Sequence, residues 1–142
     1  MRSIHISRVY EAPVEAVWEA LTDSHQLAEW LMPNDFQPTL GHEFTFRTAP
    51  APGFDGVVRC KVLCLEAPRK LQYSWKGGGI ETVATFELER CAAGTRLTFR
   101  QDGFAGMRSV MPRIMLGFGW ENLLGKKLPA LLERRAQSGT PS

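Results

Sequence analysis

The chain has 142 residues, 44% of them hydrophobic and 23% charged, which suits one domain with a substantial core and leaves no length for a second. The formal charge of +2 is uneven: residues 1–106 hold 11 Lys+Arg against 13 Asp+Glu, and residues 107–142 hold 6 against 2. No run of about 18 apolar residues exists, which excludes a spanning helix, and Ile4-His5-Ile6 follows Met1 with no hydrophobic leader, so a cytoplasmic protein without stable membrane insertion is expected.

Taken in order, the first element is a strand from Ser3 to about Glu11, with Ile4 and Ile6 on one face. Pro13 suits a first helical position, and Val14, Val17, Trp18 and Leu21 follow at helical spacing. Asp23 with Gln26 three residues on predicts an N-cap and capping box for a second short helix carrying Leu27, Trp30 and Leu31. After the loop from Asn34 to Pro38 the period changes to two. His42, Phe44 and Phe46 alternate with Glu43, Thr45 and Arg47. Beyond the turn around Ala51-Pro52-Gly53, a strand from Phe54 to Glu66 puts Val58, Cys60, Val62 and Cys64 on one face. Leu71, Tyr73 and Trp75 mark the next strand, Gly77-Gly78-Gly79 a hairpin turn, Ala84, Phe86 and Leu88 the fifth strand, and Leu97, Phe99 and Gln101 the sixth. Cys60, Cys64 and Cys91 are an odd number. The first two would sit about 13 Å apart along one strand, too far to bridge, so reduced thiols are expected.

The last element is a helix from Met107 to Arg135 whose Trp120, Leu124, Leu128, Leu131 and Leu132 form one apolar stripe. Pro129 removes a bond to the Gly125 carbonyl and predicts a kink there. Only the tail, residues 136–142, reads as disordered, leaving residues 1–135 as a single domain. The order of strand, two short helices, five strands and a long helix gives an α+β protein with an antiparallel sheet, aromatic on one face and in need of a cover.

Together, Val17-Trp18-Glu19-Ala20-Leu21-Thr22-Asp23 with Leu27-Ala28-Glu29-Trp30, Phe54-Asp55-Gly56-Val57-Val58, Glu66-Ala67-Pro68-Arg69-Lys70-Leu71 leading to Tyr73-Ser74-Trp75, Gly94-Thr95-Arg96-Leu97-Thr98, and Gly119-Trp120 with Leu131-Leu132-Glu133 are similar to a known pattern. They resemble the START-like (SRPBCC) superfamily, in the branch homologous to the activator of the heat-shock-protein-ninety ATPase, over residues 4 to 134. The resemblance implies a helix-grip fold: a curved six-stranded antiparallel sheet wrapped around a long C-terminal helix, two short helices between strands 1 and 2, and a hydrophobic cavity inside. It implies binding of lipids, polyketides or other apolar molecules, and brings no catalytic motif. The chain departs from the pattern in the basic, methionine-rich stretch from Met107 to Phe118 and in Pro129.

Chemistry was sought among the polar residues. His5, His25 and His42 form no i, i+4 pair, and no Cys-x-x-Cys exists, so no metal and no cofactor is expected. Gly125-Lys126-Lys127 lacks the spacing and the Ser or Thr of a phosphate loop. Strand parity places His42, Tyr73 and Gln101 on the aromatic face, with Arg108, Glu121 and Asn122 as contributors from the helix. The expected lining of the cavity is Trp30, His42, Phe44, Phe46, Cys60, Tyr73, Trp75, Phe86, Phe99, Gln101, Trp120 and Leu124. Neither Gln101 nor Tyr73 is a general base at neutral pH, which favours binding of a small apolar molecule over catalysis. Two other functions compete with it. One is a chaperone-partner surface formed by Met107, Met111 and Met115. The other is a cyclase or hydrolase using His42 with Glu121. The basic residues do not alternate with exposed aromatics, so no nucleic acid is expected; a homodimer through a free strand edge or the basic helix is allowed by the pattern.

Overall fold

The computed structural model describes residues 3–50, 54–104 and 119–137. Six strands, β1 (Ser3–Tyr10), β2 (Glu43–Arg47), β3 (Val57–Glu66), β4 (Lys70–Gly77), β5 (Ile80–Cys91) and β6 (Gly94–Asp102), form one sheet in the order β1-β6-β5-β4-β3-β2, antiparallel at every junction. Two helices, α1 (Val14–Thr22) and α2 (Ser24–Trp30), carry the chain from β1 at one edge toward β2 at the other. The closing helix α3 spans residues 119–137, roughly 28 Å at 1.5 Å per residue. The architecture is the helix-grip arrangement.

Local chemistry accounts for the joints. Gly78 and Gly79 have φ of 60° and 81° and form the two-residue β4–β5 turn, whose twist needs positive φ at both central positions. Gly94 opens β6 against the end of β1, where a Cβ would stand 2.4 Å from the Tyr10 carbonyl oxygen. Asp23 caps α2 by accepting from the Gln26 backbone N–H at 3.1 Å. The other half of the expected capping box is absent, because the Asp23 backbone N–H donates to the Glu19 carbonyl at 2.8 Å, while the Gln26 amide nitrogen donates to the Glu19 carboxylate at 2.8 Å. Pro13 stands at the N-cap of α1 with ψ of 154°, one position before the helix.

Parity holds along most strands, so Ile4, Ile6, Tyr10, Phe44, Phe46, Val58, Cys60, Val62, Leu71, Tyr73, Trp75, Ala84, Phe86, Leu97 and Phe99 are all buried. It fails in β3. Val62 pairs with Tyr73, but Cys64 pairs with Gln72 and Leu65 with Leu71, so one extra residue enters the strand. Leu63 is that bulge and is 43% exposed. The shift turns Cys64 away from the face of Val62 and brings Leu65 to the core in its place. β3 also starts at Val57, three residues later than the pattern predicts.

In α3, residues 123–127 form a π-turn, with the Leu128 N–H donating to the Leu123 carbonyl five residues back. The α-helical stretch Leu128–Gln137 follows. Helix thus continues through Ala136 and Gln137, two residues past the predicted start of the tail. The predicted methionine-rich start of the helix from Met107, the turn at Ala51-Pro52-Gly53 and the tail from Ser138 lie outside the described residues. No described helix is long and apolar enough to cross a membrane.

Candidate ligand-binding interior

Register explains how the polar residues of the inner face come together. Gln101 pairs with Ala84 and Ala84 with Tyr73, Tyr73 pairs with Val62, and the Val62 N–H reaches the His42 carbonyl at 2.9 Å. His42, Tyr73 and Gln101 therefore lie on one row across the sheet, separated by the small or slender side chains Val62 and Ala84. Gln101 and Tyr73 are two strands apart, about 10 Å.

Gln101 is fully buried, and both ends of its amide are engaged. Its Oε1 accepts from the Trp120 indole N–H at 2.9 Å, and its Nε2 donates to the Thr82 hydroxyl at 2.8 Å. The Thr82 hydroxyl in turn donates to the Trp75 carbonyl at 3.3 Å. An indole N–H can only donate, so it fixes which end of the amide faces it. This chain positions Trp120, whose ring lies 4.3 Å from Phe99, 5.5 Å from Trp75 and 6.0 Å from Phe86, centroid to centroid. Leu124, one turn later, is buried on the same side of α3.

Tyr73 differs. It is 1% exposed and is ringed by Phe44 at 5.1 Å, Phe86 at 5.7 Å, Phe46 at 6.0 Å and Phe36 at 6.5 Å. Burial holds the phenol well above its ordinary pKa, with a smaller push from Cys60, so it stays neutral and able to donate. Burial likewise pushes the Cys60 thiol up, and the Asp35 carboxylate adds to it; this thiol is a core group and not a nucleophile. Trp30 is buried in the α1–α2 corner, its indole donating to the Ala20 carbonyl at 2.8 Å.

His42 is half-buried at the β2 edge, stacked 6.2 Å from Phe44, with Nε2 3.1 Å from the Asp35 carbonyl. Glu121 is 51% exposed and pairs with Arg8 of β1, at the opposite edge of the sheet. The acid–base pair of the cyclase or hydrolase alternative is thus not assembled: its two members belong to opposite edges. Asn122 is exposed as well, so neither helix residue contributes to the interior. Arg108 lies outside the described residues. Among the described residues no three His, Cys, Asp or Glu side chains converge to hold a metal.

Sequence reasoning overlooked three contributors. Phe36 lies in a loop yet is buried edge-on to Phe44 at 5.0 Å; its signal was an aromatic inside a polar connection. Thr82 relays the Gln101 network, and Tyr10 donates from β1 to the Leu124 carbonyl at 2.7 Å. Tyr10 shares the parity of Ile4 and Ile6, which was sufficient to place it inside.

Four hollows of 480 to 570 Å³ open on the surface. They lie at the β4–β5 turn, over β2–β4, between β1 and α3, and between α1 and α3. None of these four is lined by Tyr73, Phe86, Phe99, Gln101 or Trp120. The aromatic interior is therefore reached through none of them.

The fold recurs in solved structures. Protein MLL2253 of Mesorhizobium loti is 33% identical with a TM-score of 0.86, over 94% of this chain and 98% of that one. BH1534 of Bacillus halodurans is 30% identical with a TM-score of 0.78, over 93% and 97%. CalU16 of Micromonospora echinospora is 25% identical with a TM-score of 0.72, over 96% and 82%. No curated protein gives a significant match. Residues 11–133 match the family described as activator of Hsp90 ATPase homolog 1-like protein. With that match, and with near-complete coverage of relatives 30% or more identical, the chain belongs to the activator of Hsp90 ATPase homolog 1-like family of the START-like (SRPBCC) superfamily.

Proposed function

We propose that this protein binds a small apolar molecule carrying one hydrogen-bonding group between the sheet and α3, at Tyr73 in the middle of the polar row. The observation that carries the reading is the Tyr73 side chain, a neutral phenol walled by four aromatic rings. A neutral phenol hydroxyl can donate to a ligand carbonyl or accept from a ligand hydroxyl. The rings supply the dispersion and the apolar surface that small-molecule sites use. Gln101 supports the site at one remove, because its amide is fully used in holding Trp120.

Native mass spectrometry of protein taken directly from cell lysate tests the reading. The expected result is an adduct of a few hundred daltons that is lost on denaturation, with Tyr73→Phe lowering its occupancy about three- to tenfold, the range of one hydrogen bond. Tyr73→Phe should leave the urea midpoint essentially unchanged, since the ring keeps its aromatic contacts. Absence of any adduct, together with no saturable binding of 1-anilinonaphthalene-8-sulfonate, would overturn the proposal.

A further inference from the structure

Trp120 is buried over the aromatic interior, and α3 has a joint at which the segment carrying it can move. Three causes of helix bending coincide within seven residues: the π-turn at Leu123–Lys127, Gly125 at its centre, and Pro129 two positions past it. The π-turn and the proline together strand one carbonyl. In an α-helix the Leu124 oxygen would accept from the Leu128 N–H, but that N–H donates to Leu123. In a continued π-helix it would accept from residue 129, which is proline and has no N–H. The group that satisfies it is the Tyr10 hydroxyl, 2.7 Å away on β1.

The two sides of this joint are held by different neighbours. Beyond it, Leu128–Gln137 packs on α1 and α2, with Leu131 and Leu132 buried and Arg135 3.6 Å from Glu19. Before it, the ties run to the sheet: Arg8 to Glu121, Gln101 to Trp120, and Tyr10 to Leu124. The Arg8 guanidinium also lies over Gly125, where a Cβ would meet Nε at 3.4 Å, and a hollow of 550 Å³ separates β1 from α3 beside it. Burial holds Tyr10 above its ordinary pKa, so it remains a donor.

We infer that α3 opens at the π-turn, residues 119–124 swinging from the sheet while 128–137 stays on α1 and α2, and that Tyr10 bonded to the Leu124 carbonyl is the latch of this hinge. The device rests on the ligand-binding reading for its purpose only, since hinge and latch exist without a ligand.

Hydrogen exchange of the ligand-free protein, followed by NMR, tests it. Removing the latch with Tyr10→Phe should speed exchange of the 119–124 amides and of the Trp120 indole N–H about fivefold, the factor one net hydrogen bond is worth. The Leu131 and Leu132 amides should change less than twofold. Pro129→Ala returns an N–H to the helix, so in that background Tyr10→Phe should have less than a twofold effect. An increase spread evenly over α3 and the sheet, no increase at all, or the same increase in both backgrounds would each overturn the latch. None of these outcomes depends on a ligand, so failure of the proposed function shows separately in the adduct experiment.

Discussion

Gln101 is the residue on which the interior turns, because one amide joins the sheet to the closing helix. It was legible as an inward polar residue from strand parity alone. Its partners were not, since which donor reaches it depends on where α3 lies, and no periodicity along β6 encodes that. Tyr73 shares its row but stands among aromatic rings instead of in a hydrogen-bonded chain. Gln101→Leu should strand both the Trp120 indole N–H and the Thr82 hydroxyl, at about 1–3 kcal/mol for each group left unpaired. Urea denaturation should show a large fall in midpoint for Gln101→Leu beside no change for Tyr73→Phe. Equal midpoints for the two variants would mean that the relay contributes nothing to stability.

At the scale of elements, alternation and turn residues made all six strands and both short helices readable. The failures share a cause: each is a contest between two local solutions that tertiary contacts decide. In β3 both Cys64 and Leu65 could face the core. The pairing of Leu65 with Leu71 settles it in favour of the larger apolar side chain. At α2, Gln26 could reach back to the cap or across to Glu19, and it reaches across. The cap itself rests on Asp23 alone. Asp23→Ala should therefore lower stability by about 1 kcal/mol, within the 0.5–2 kcal/mol usual for such caps. Thermal unfolding followed by circular dichroism would register it; an unchanged midpoint would show that α2 is held by Leu27 and Trp30 without need of its cap.

The whole molecule is poised against alkali. Tyr10, Tyr73 and Cys60 are all held protonated by burial, above their ordinary values of 10.0, 10.0 and 9.0. In the unfolded chain they ionise at those ordinary values while the folded chain keeps its protons. The stability they contribute is thus complete below about pH 9 and is lost as pH rises, by up to about 1.4 kcal/mol per pH unit for each group. The opposite sign applies to Asp35, held below its ordinary value first by the Thr45 backbone N–H; its contribution is lost as pH falls below about 4. The urea midpoint should hold between pH 6 and 8 and drop steeply from pH 9 to 11. A flat profile to pH 11 would show that these groups are reached by water.

The π-turn has one more consequence, which concerns winding. Trp120, Leu124, Leu128 and Leu132 recur every four residues and are all buried. At about 100° per residue, a four-residue repeat on an α-helix creeps about 40° around the axis at each step, so by Leu132 the stripe would have wandered some 120° from Trp120. A π-turn takes in one surplus residue and so gives back about 100° of that drift. The irregularity at Gly125 is thus what keeps the stripe straight, letting a single helix point its first ring at Gln101 and its last leucine at the α1–α2 corner.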